Sequence, residues 1–141
     1  MKRLVVATKA LIVDGGRFIM MKRHDNDEFK PGESDLPGGN IEFGEDPVIG
    51  LKREIKEEIS LEVDVIAPSR VWTLMKGTDT HVVGITFLCR RIGGKETLSH
   101  EHSEFRWASL NNYKKEGISS WLVKDIESVI PLIEVKTKTF L

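Results

Sequence analysis

Glu54, Glu57 and Glu58 lie in the run Arg53-Glu54-Ile55-Lys56-Glu57-Glu58. On a helix that advances ~100° per residue, positions three and four apart share a face, so the three carboxylates can converge on one point. In a helix rich in Glu and Lys such a face is most often solvated surface, with Arg53 and Glu57 as an i,i+4 ion pair. Glu54 and Glu58, however, are like charges at i,i+4, an arrangement that costs an isolated helix roughly 0.2–0.5 kcal/mol. A bound cation would reverse that sign. Carboxylate clusters with only oxygen ligands suit hard ions such as Mg2+ or Mn2+, which keep several waters and bridge to phosphate oxygens.

The element that must present these groups can be bounded from its neighbours. Asp46 followed by Pro47 is an N-cap with proline at the first helical position, where the missing N–H costs little. Val48, Leu51, Ile55 and Ile59 follow three- and four-residue steps and form one apolar stripe that can pack on a sheet. Upstream, Pro37-Gly38-Gly39 would pass for an ordinary turn were it not at a short, definite distance from the carboxylates. Glycine there permits close approach of the backbone to a ligand or metal.

The remaining segments alternate between strand and helix signals. Residues 4–13 and 17–22 flank Asp14-Gly15-Gly16 and predict a β-hairpin. Residues 24–34 are polar, contain Pro31-Gly32 and predict a loop. Strand patterns cover 62–65, 69–75 and 81–91, with a turn at 76–80; Phe105-Arg106-Trp107 predicts a short strand after a loop centred on 100–104. Residues 118–132 have helical spacing that Pro131 should break. At 141 residues, with 40% hydrophobic and 30% charged residues, the chain fits a single globular domain over residues 1–141. A net charge of −1 offers no general attraction to nucleic acid or an anionic membrane, so a polyanionic ligand must be handled locally. Cys89 is the only cysteine, which excludes an internal disulfide and fits a reducing, cytoplasmic setting. No apolar run approaches the length of a membrane span.

Gly39 is followed after five residues by Glu45, and after seven more by Arg53-Glu54-Ile55-Lys56-Glu57-Glu58-Ile59-Ser60-Leu61. This spacing resembles the Nudix box: glycine, five residues, glutamate, seven residues, Arg-Glu, an aliphatic, any residue, Glu-Glu, any residue, glycine, an aliphatic. Only Ser60 departs, standing where the family has the glycine that ends the helix, and that bears on the C-cap rather than on the carboxylates. Leu36-Pro37-Gly38-Gly39 and the N-terminal hairpin also resemble the family.

The resemblance implies an α/β fold, an α/β/α sandwich with a mixed sheet between helices. It also implies hydrolysis of a diphosphate bond in a small nucleotide-like substrate, with Mg2+ or Mn2+ as cofactor. By similarity Glu54, Glu57 and Glu58 bind the metal, the Gly39 carbonyl joins them, a loop glutamate, Glu101, reaches the metal site, and Glu45 and Arg53 form a supporting ion pair. The carboxylate that accepts the water's proton would be a box residue such as Glu54 or a loop glutamate, for which Glu101 is preferred over Glu104. The substrate would be a nucleoside diphosphate linked to another group, foremost an NTP or dNTP giving NMP and pyrophosphate. ADP-ribose and other nucleotide conjugates are alternatives, as is a nucleotide sensor that does not hydrolyse. A homodimer is compatible with the family.

Several residues carry weaker signals. Trp72 and Phe29 are candidates to contact a base, although tryptophan is more often core or groove wall, as Trp107 and Trp121 can be. Arg23, with Lys22 and His24, ends the hairpin near the loop and is a candidate for substrate phosphates, although such clusters are mostly solvated strand ends. His100 and His102 lack the spacing of a zinc motif and are polar loop residues. Cys89 fits a small buried hydrophobe. Asp125 and Glu127 in the final helix have no companion motif and are expected at the surface.

Overall fold

The computed structural model describes residues 1–23, 33–99 and 102–140, with side chains omitted at 102–103 and 134–140. In chain order the elements are β1 (Arg3–Asp14), β2 (Arg17–Arg23), β3 (Ser34–Asp35), β4 (Gly38–Asn40), α1 (Pro47–Ile59), β5 (Leu61–Lys76), β6 (Thr80–Gly94), β7 (His102–Ser109), a 3-10 turn (Tyr113–Lys115) and α2 (Ser120–Phe140). They form a mixed seven-stranded sheet in the order β3-β2-β1-β6-β5, with β4 on β1 and β7 on β2. Among the described strands only β1 and β6 run parallel.

The expected hairpin forms, but β1 and β2 pair only near the turn, at Val13 with Phe18 and Asp14 with Arg17. Beyond that point β1 pairs with β4 and β2 with β3 and β7. The splayed hairpin therefore receives the Gly38–Asn40 segment against Ala7–Lys9. This carries Gly39 to the sheet just ahead of the helix that bears the glutamates.

Alternation along the strands places apolar residues on both faces, and each face has its own core. Ala10, Ile12, Ile19, Met21 and Phe87 pack under Leu51, Ile55 and Ile59 of α1. Leu11, Val13, Phe18 and Leu88 pack under Leu122, Ile126 and Val129 of α2. The apolar stripe expected on α1 is thus the buried one. Asp46 caps α1 as expected, accepting from the Val48 and Ile49 N–H groups at 2.9 and 3.1 Å. Among the described residues no helix is long and apolar enough to cross a membrane.

Three expectations need correction. The strand signals at 62–65 and 69–75 belong to one strand, β5, with register shifts on either side of Ala67 and Pro68. Proline is tolerated because β5 is the edge strand and its outer side has no ladder bond to lose. The short strand at 105–107 extends over His102–Ser109 because β2 supplies a partner along its whole length. Pro131 does not break α2: one i→i−4 bond is forfeited, while the preceding turns are anchored by Leu122, Ile126 and Val129.

Ser60 caps α1 in the left-handed region, with φ 62° and ψ 24°, and its N–H donates to the Lys56 carbonyl at 3.1 Å. The helix thus keeps the ending that glycine would provide, at a conformational cost of roughly 1–2 kcal/mol for a residue with a Cβ. Ser60→Gly should therefore raise the melting temperature by about 3 °C without changing turnover. A lower melting temperature in calorimetry would show that the serine side chain offsets the strain.

Candidate active site

Glu45 and Arg53 form the frame of the site. Arg53 donates Nε to Glu45 Oε2 at 2.7 Å and Nη2 to Glu45 Oε1 at 3.0 Å, a bidentate pair. The Arg53 hydrogen bonds, together with the Glu42 N–H, hold the Glu45 carboxyl down at about 2. Gly50 makes the geometry available: a Cβ on it would lie 2.7 Å from Glu45 Oε1, so the carboxylate crosses the helix where glycine leaves room. Gly50 carried no signal in the sequence, since a glycine inside a helical pattern reads only as a weak helix former.

Arg53 also gathers two of the three expected carboxylates. Its Nη1 donates to Glu54 Oε1 at 3.1 Å and to both Glu57 oxygens at 3.3 Å. Glu57 stands on the open side, its side chain 60% exposed. Glu54 lies against the loop, for a Cβ on Gly39 would fall 2.6 Å from its carboxyl carbon. Glycine here leaves the room that the Glu54 carboxylate occupies. Gly39 is held in β4, its carbonyl accepting from Thr8 Oγ1 at 3.4 Å.

Glu58 differs from the other two. It is only 3% exposed and accepts the Gly38 N–H on Oε1 at 3.1 Å. Its pKa is pushed up to about 8, chiefly by burial, with Asp35 and Glu54 adding to the rise while Lys9 and the Gly38 N–H oppose it. Asp35, buried beside it, accepts from Lys9 Nζ at 3.1 Å, Arg23 Nη1 at 3.2 Å and its neighbour's N–H at Leu36 at 2.9 Å. Neither Lys9 nor Asp35 was singled out in the sequence, because they meet only through pairing of β1 with the segment around β4.

Among the described residues no three His, Cys, Asp or Glu side chains gather closely enough to hold a metal ion unaided. Arg53 accounts for this by drawing Glu54 and Glu57 toward itself. The donor set nevertheless fits a hard divalent ion, which keeps waters and needs only one or two carboxylates together with substrate phosphates. Glu54 beside the Gly39 backbone and Glu58 on the Gly38 N–H present oxygen ligands only, and their mutual repulsion is what a cation would relieve.

The other candidates are distributed over the fold. Glu101 and Phe29 lie outside the described residues. Glu104 is on β7 opposite Lys22. Arg23 points to Asp35. Trp72 is on the opposite face of the sheet from α1, laid on Gly84, where any Cβ would collide with the indole, and it donates Nε1 to Thr86 Oγ1 at 3.0 Å. Trp107 is flanked by the guanidiniums of Arg17 and Arg91, 5.5 and 6.0 Å from its ring. Cys89 is buried in the α1-side core, and burial pushes its thiol pKa upward, as befits an inert residue. Asp125 contradicts the surface expectation: it is 1% exposed. Arg70 and Thr86, distant in sequence, reach it from β5 and β6.

Residues 2–125 match the family model described as NUDIX domain. The chain is 33% identical to a MutT-like protein of Streptomyces ambofaciens, over 84% of this chain and 72% of that protein. It is 33% identical to an ADP-ribose pyrophosphatase of Methanocaldococcus jannaschii, over 78% of this chain and 64% of that protein. It is also 30% identical to the nucleoside triphosphatase NudI of Escherichia fergusonii, over 69% of this chain and 76% of that protein.

Proposed function

The chain belongs to the Nudix family, and from that premise we propose that it is a metal-dependent pyrophosphohydrolase releasing NMP and pyrophosphate from an NTP or dNTP. That it is a hydrolase of nucleoside diphosphate-linked substrates follows from the family and from its hydrolase relatives. The triphosphate reading is supported by the relative named for that activity. The observation that carries the catalytic reading is that the Gly38-Gly39 backbone meets two carboxylates, Glu58 at Gly38 and Glu54 at Gly39, beside a frame built by Glu45 and Arg53.

Glu54, Glu57, Glu58 and the Gly39 carbonyl would hold Mg2+ or Mn2+. When bound, the ion supplies charge neutralisation for the diphosphate oxygens and acidifies an attacking water. The chain's own residues account for the rest. Arg53 and Glu45 keep the carboxylates in place from behind, so their role is positioning. The oxygen of water joins one phosphorus, the bridging P–O bond breaks, and the water's proton passes to a carboxylate. Glu54 or Glu101 takes that proton in this reading. Arg23 is assigned to substrate phosphates, and Phe29 and Trp72 to the base.

A panel of nucleoside triphosphates, ADP-ribose and dinucleoside polyphosphates, incubated with Mg2+ and with Mn2+ and resolved for both products, tests the proposal. The expected result is NMP and pyrophosphate from at least one triphosphate, abolished by a chelator. Release of AMP from ADP-ribose alone would move the chain to the other substrate class. Binding without hydrolysis across the panel would make it a sensor.

A further inference from the structure

A lysine interrupts the apolar face of the central strand. Lys9 shares the side of β1 that carries Leu11 and Val13, both packed under α2. Its partners in register are Gly38 of β4 and Thr86 of β6. Lys9 Nζ donates to Asp35 Oδ1 at 3.1 Å and to the Leu36 carbonyl at 3.2 Å. Asp35 meets a second cation on its other oxygen, Arg23 Nη1 at 3.2 Å. The carboxylate side chain is 5% exposed, whereas those of Lys9 and Arg23 are 16% and 22% exposed. Two cations thus share one buried carboxylate, and both reach solvent where it hardly does.

The cluster is not needed to hold the chain in place. Backbone bonds already tie this segment to the sheet, from the Arg23 N–H to the Glu33 carbonyl at 3.0 Å and from the Ala10 N–H to the Pro37 carbonyl at 2.8 Å. The β3 and β4 ladders add to them. For stability an apolar side chain beside Leu11 would serve as well, since a buried ion pair seldom outweighs the desolvation of its charges. The ammonium also has a donor to spare. It carries three N–H groups; Asp35 and the Leu36 carbonyl take two, and no further acceptor meets it among the described residues. Its place in the fold indicates what the third could meet. Lys9 is the strand partner of Gly38, whose N–H holds Glu58, and its charge is near enough to favour the Glu58 anion. The ammonium therefore borders the carboxylates assigned to the metal.

We propose that Lys9 is a substrate-binding residue whose ammonium donates its third hydrogen bond to a non-bridging oxygen of the diphosphate. The assignment rests on the hydrolase reading above. With two N–H groups fixed by Asp35 and the Leu36 carbonyl, the direction of the third is set before the ligand arrives, and little side-chain freedom is lost on binding. A bond between an ammonium and a phosphate oxygen is charge-assisted and belongs to the strong class. The chain as a whole, with a net charge of −1, offers a polyanion no general attraction. Lys9 supplies a fixed positive charge beside carboxylates that would otherwise repel the phosphates.

The test uses the α,β-methylene analogues of ATP, GTP, CTP and UTP in equilibrium binding with Mg2+, with turnover of the natural triphosphates assayed in parallel. The parent should bind at least one analogue, and Lys9→Met, which keeps the length of the side chain without its charge, should weaken that binding about tenfold. The variant's affinity should also fall less steeply with added NaCl, because one screened attraction is gone. A purely structural loss would leave the salt dependence unchanged. In the parent itself, acylation of Lys9 followed by mass spectrometry should slow about tenfold at saturating analogue, which decides the matter even where Lys9→Met does not fold. Affinity within about twofold of the parent in a folded Lys9→Met overturns the assignment. So does a loss of affinity with unaltered salt dependence, undiminished acylation of Lys9 in the saturated parent, or absence of binding by the parent. Binding that depends on Lys9 without turnover of any triphosphate would count against the hydrolytic reading and leave Lys9 in its role.

Discussion

Glu58→Gln should lower metal-dependent hydrolysis by about 10³-fold while making the metal-free protein more stable at pH 8. The two effects share one cause. Burial pushes the Glu58 pKa from 4.5 to about 8, so the native state keeps a proton there that the unfolded chain releases between those values. Where the native state binds more protons than the unfolded one, stability falls as pH rises. The metal-free parent should therefore lose stability from about pH 4.5 to about pH 8. Glutamine keeps an oxygen for the Gly38 N–H and carries no charge, so the variant should escape that loss. At pH 8 its melting temperature should exceed the parent's by roughly 5 °C, and the difference should vanish near pH 4. Saturating Mg2+ should restore the parent's advantage, because only a state that binds the ion is stabilised by it. Near-parental turnover, or a melting difference that does not change with pH, would remove Glu58 from the role assigned to it.

Arg53→Lys is expected to reduce kcat by about 10²-fold with a folded chain and an unchanged order of substrate preference. One guanidinium serves Glu45 through two nitrogens and Glu54 and Glu57 through the third. An ammonium has the charge but not the planar fork, so it can satisfy Glu45 or the helix carboxylates and not both. The prediction separates positioning from simple charge balance through a second readout: the concentration of Mg2+ giving half-maximal rate should rise by at least about tenfold. Unaltered metal dependence alongside a reduced rate would place Arg53 on the substrate instead.

The carboxylate helix and its frame were legible because their spacing is short and local. Asp46, Pro47 and the stripe through Leu51, Ile55 and Ile59 define α1 within a few turns. Gly39, Glu45 and Arg53 recur at separations that a loop and a helix can close directly. The reaction class and the fold class followed from the resemblance which that segment carries, while the alternation of strand and helix signals around it showed only that sheet and helix are mixed.

Other features could not be read this way, for a physical reason that each example repeats. The assignment of Asp125 to the surface failed because its partners Arg70 and Thr86 arrive from two other strands, and burial depends on what packs above a residue, not on its type. Lys9 and Asp35 became part of the site only when the hairpin splayed and β4 entered beside β1. Periodicity shows which face of an element is apolar, and motif spacing shows which carboxylates can meet. The register of β1, β5 and β6 decides which distant side chains share a row. The amino-acid sequence thus determined that Glu54, Glu57 and Glu58 stand together on one helix. Only the tertiary structure decided that Glu58 is buried with a raised pKa, that Glu57 faces outward on Arg53, and that Asp125 is buried under α2 against Arg70 and Thr86.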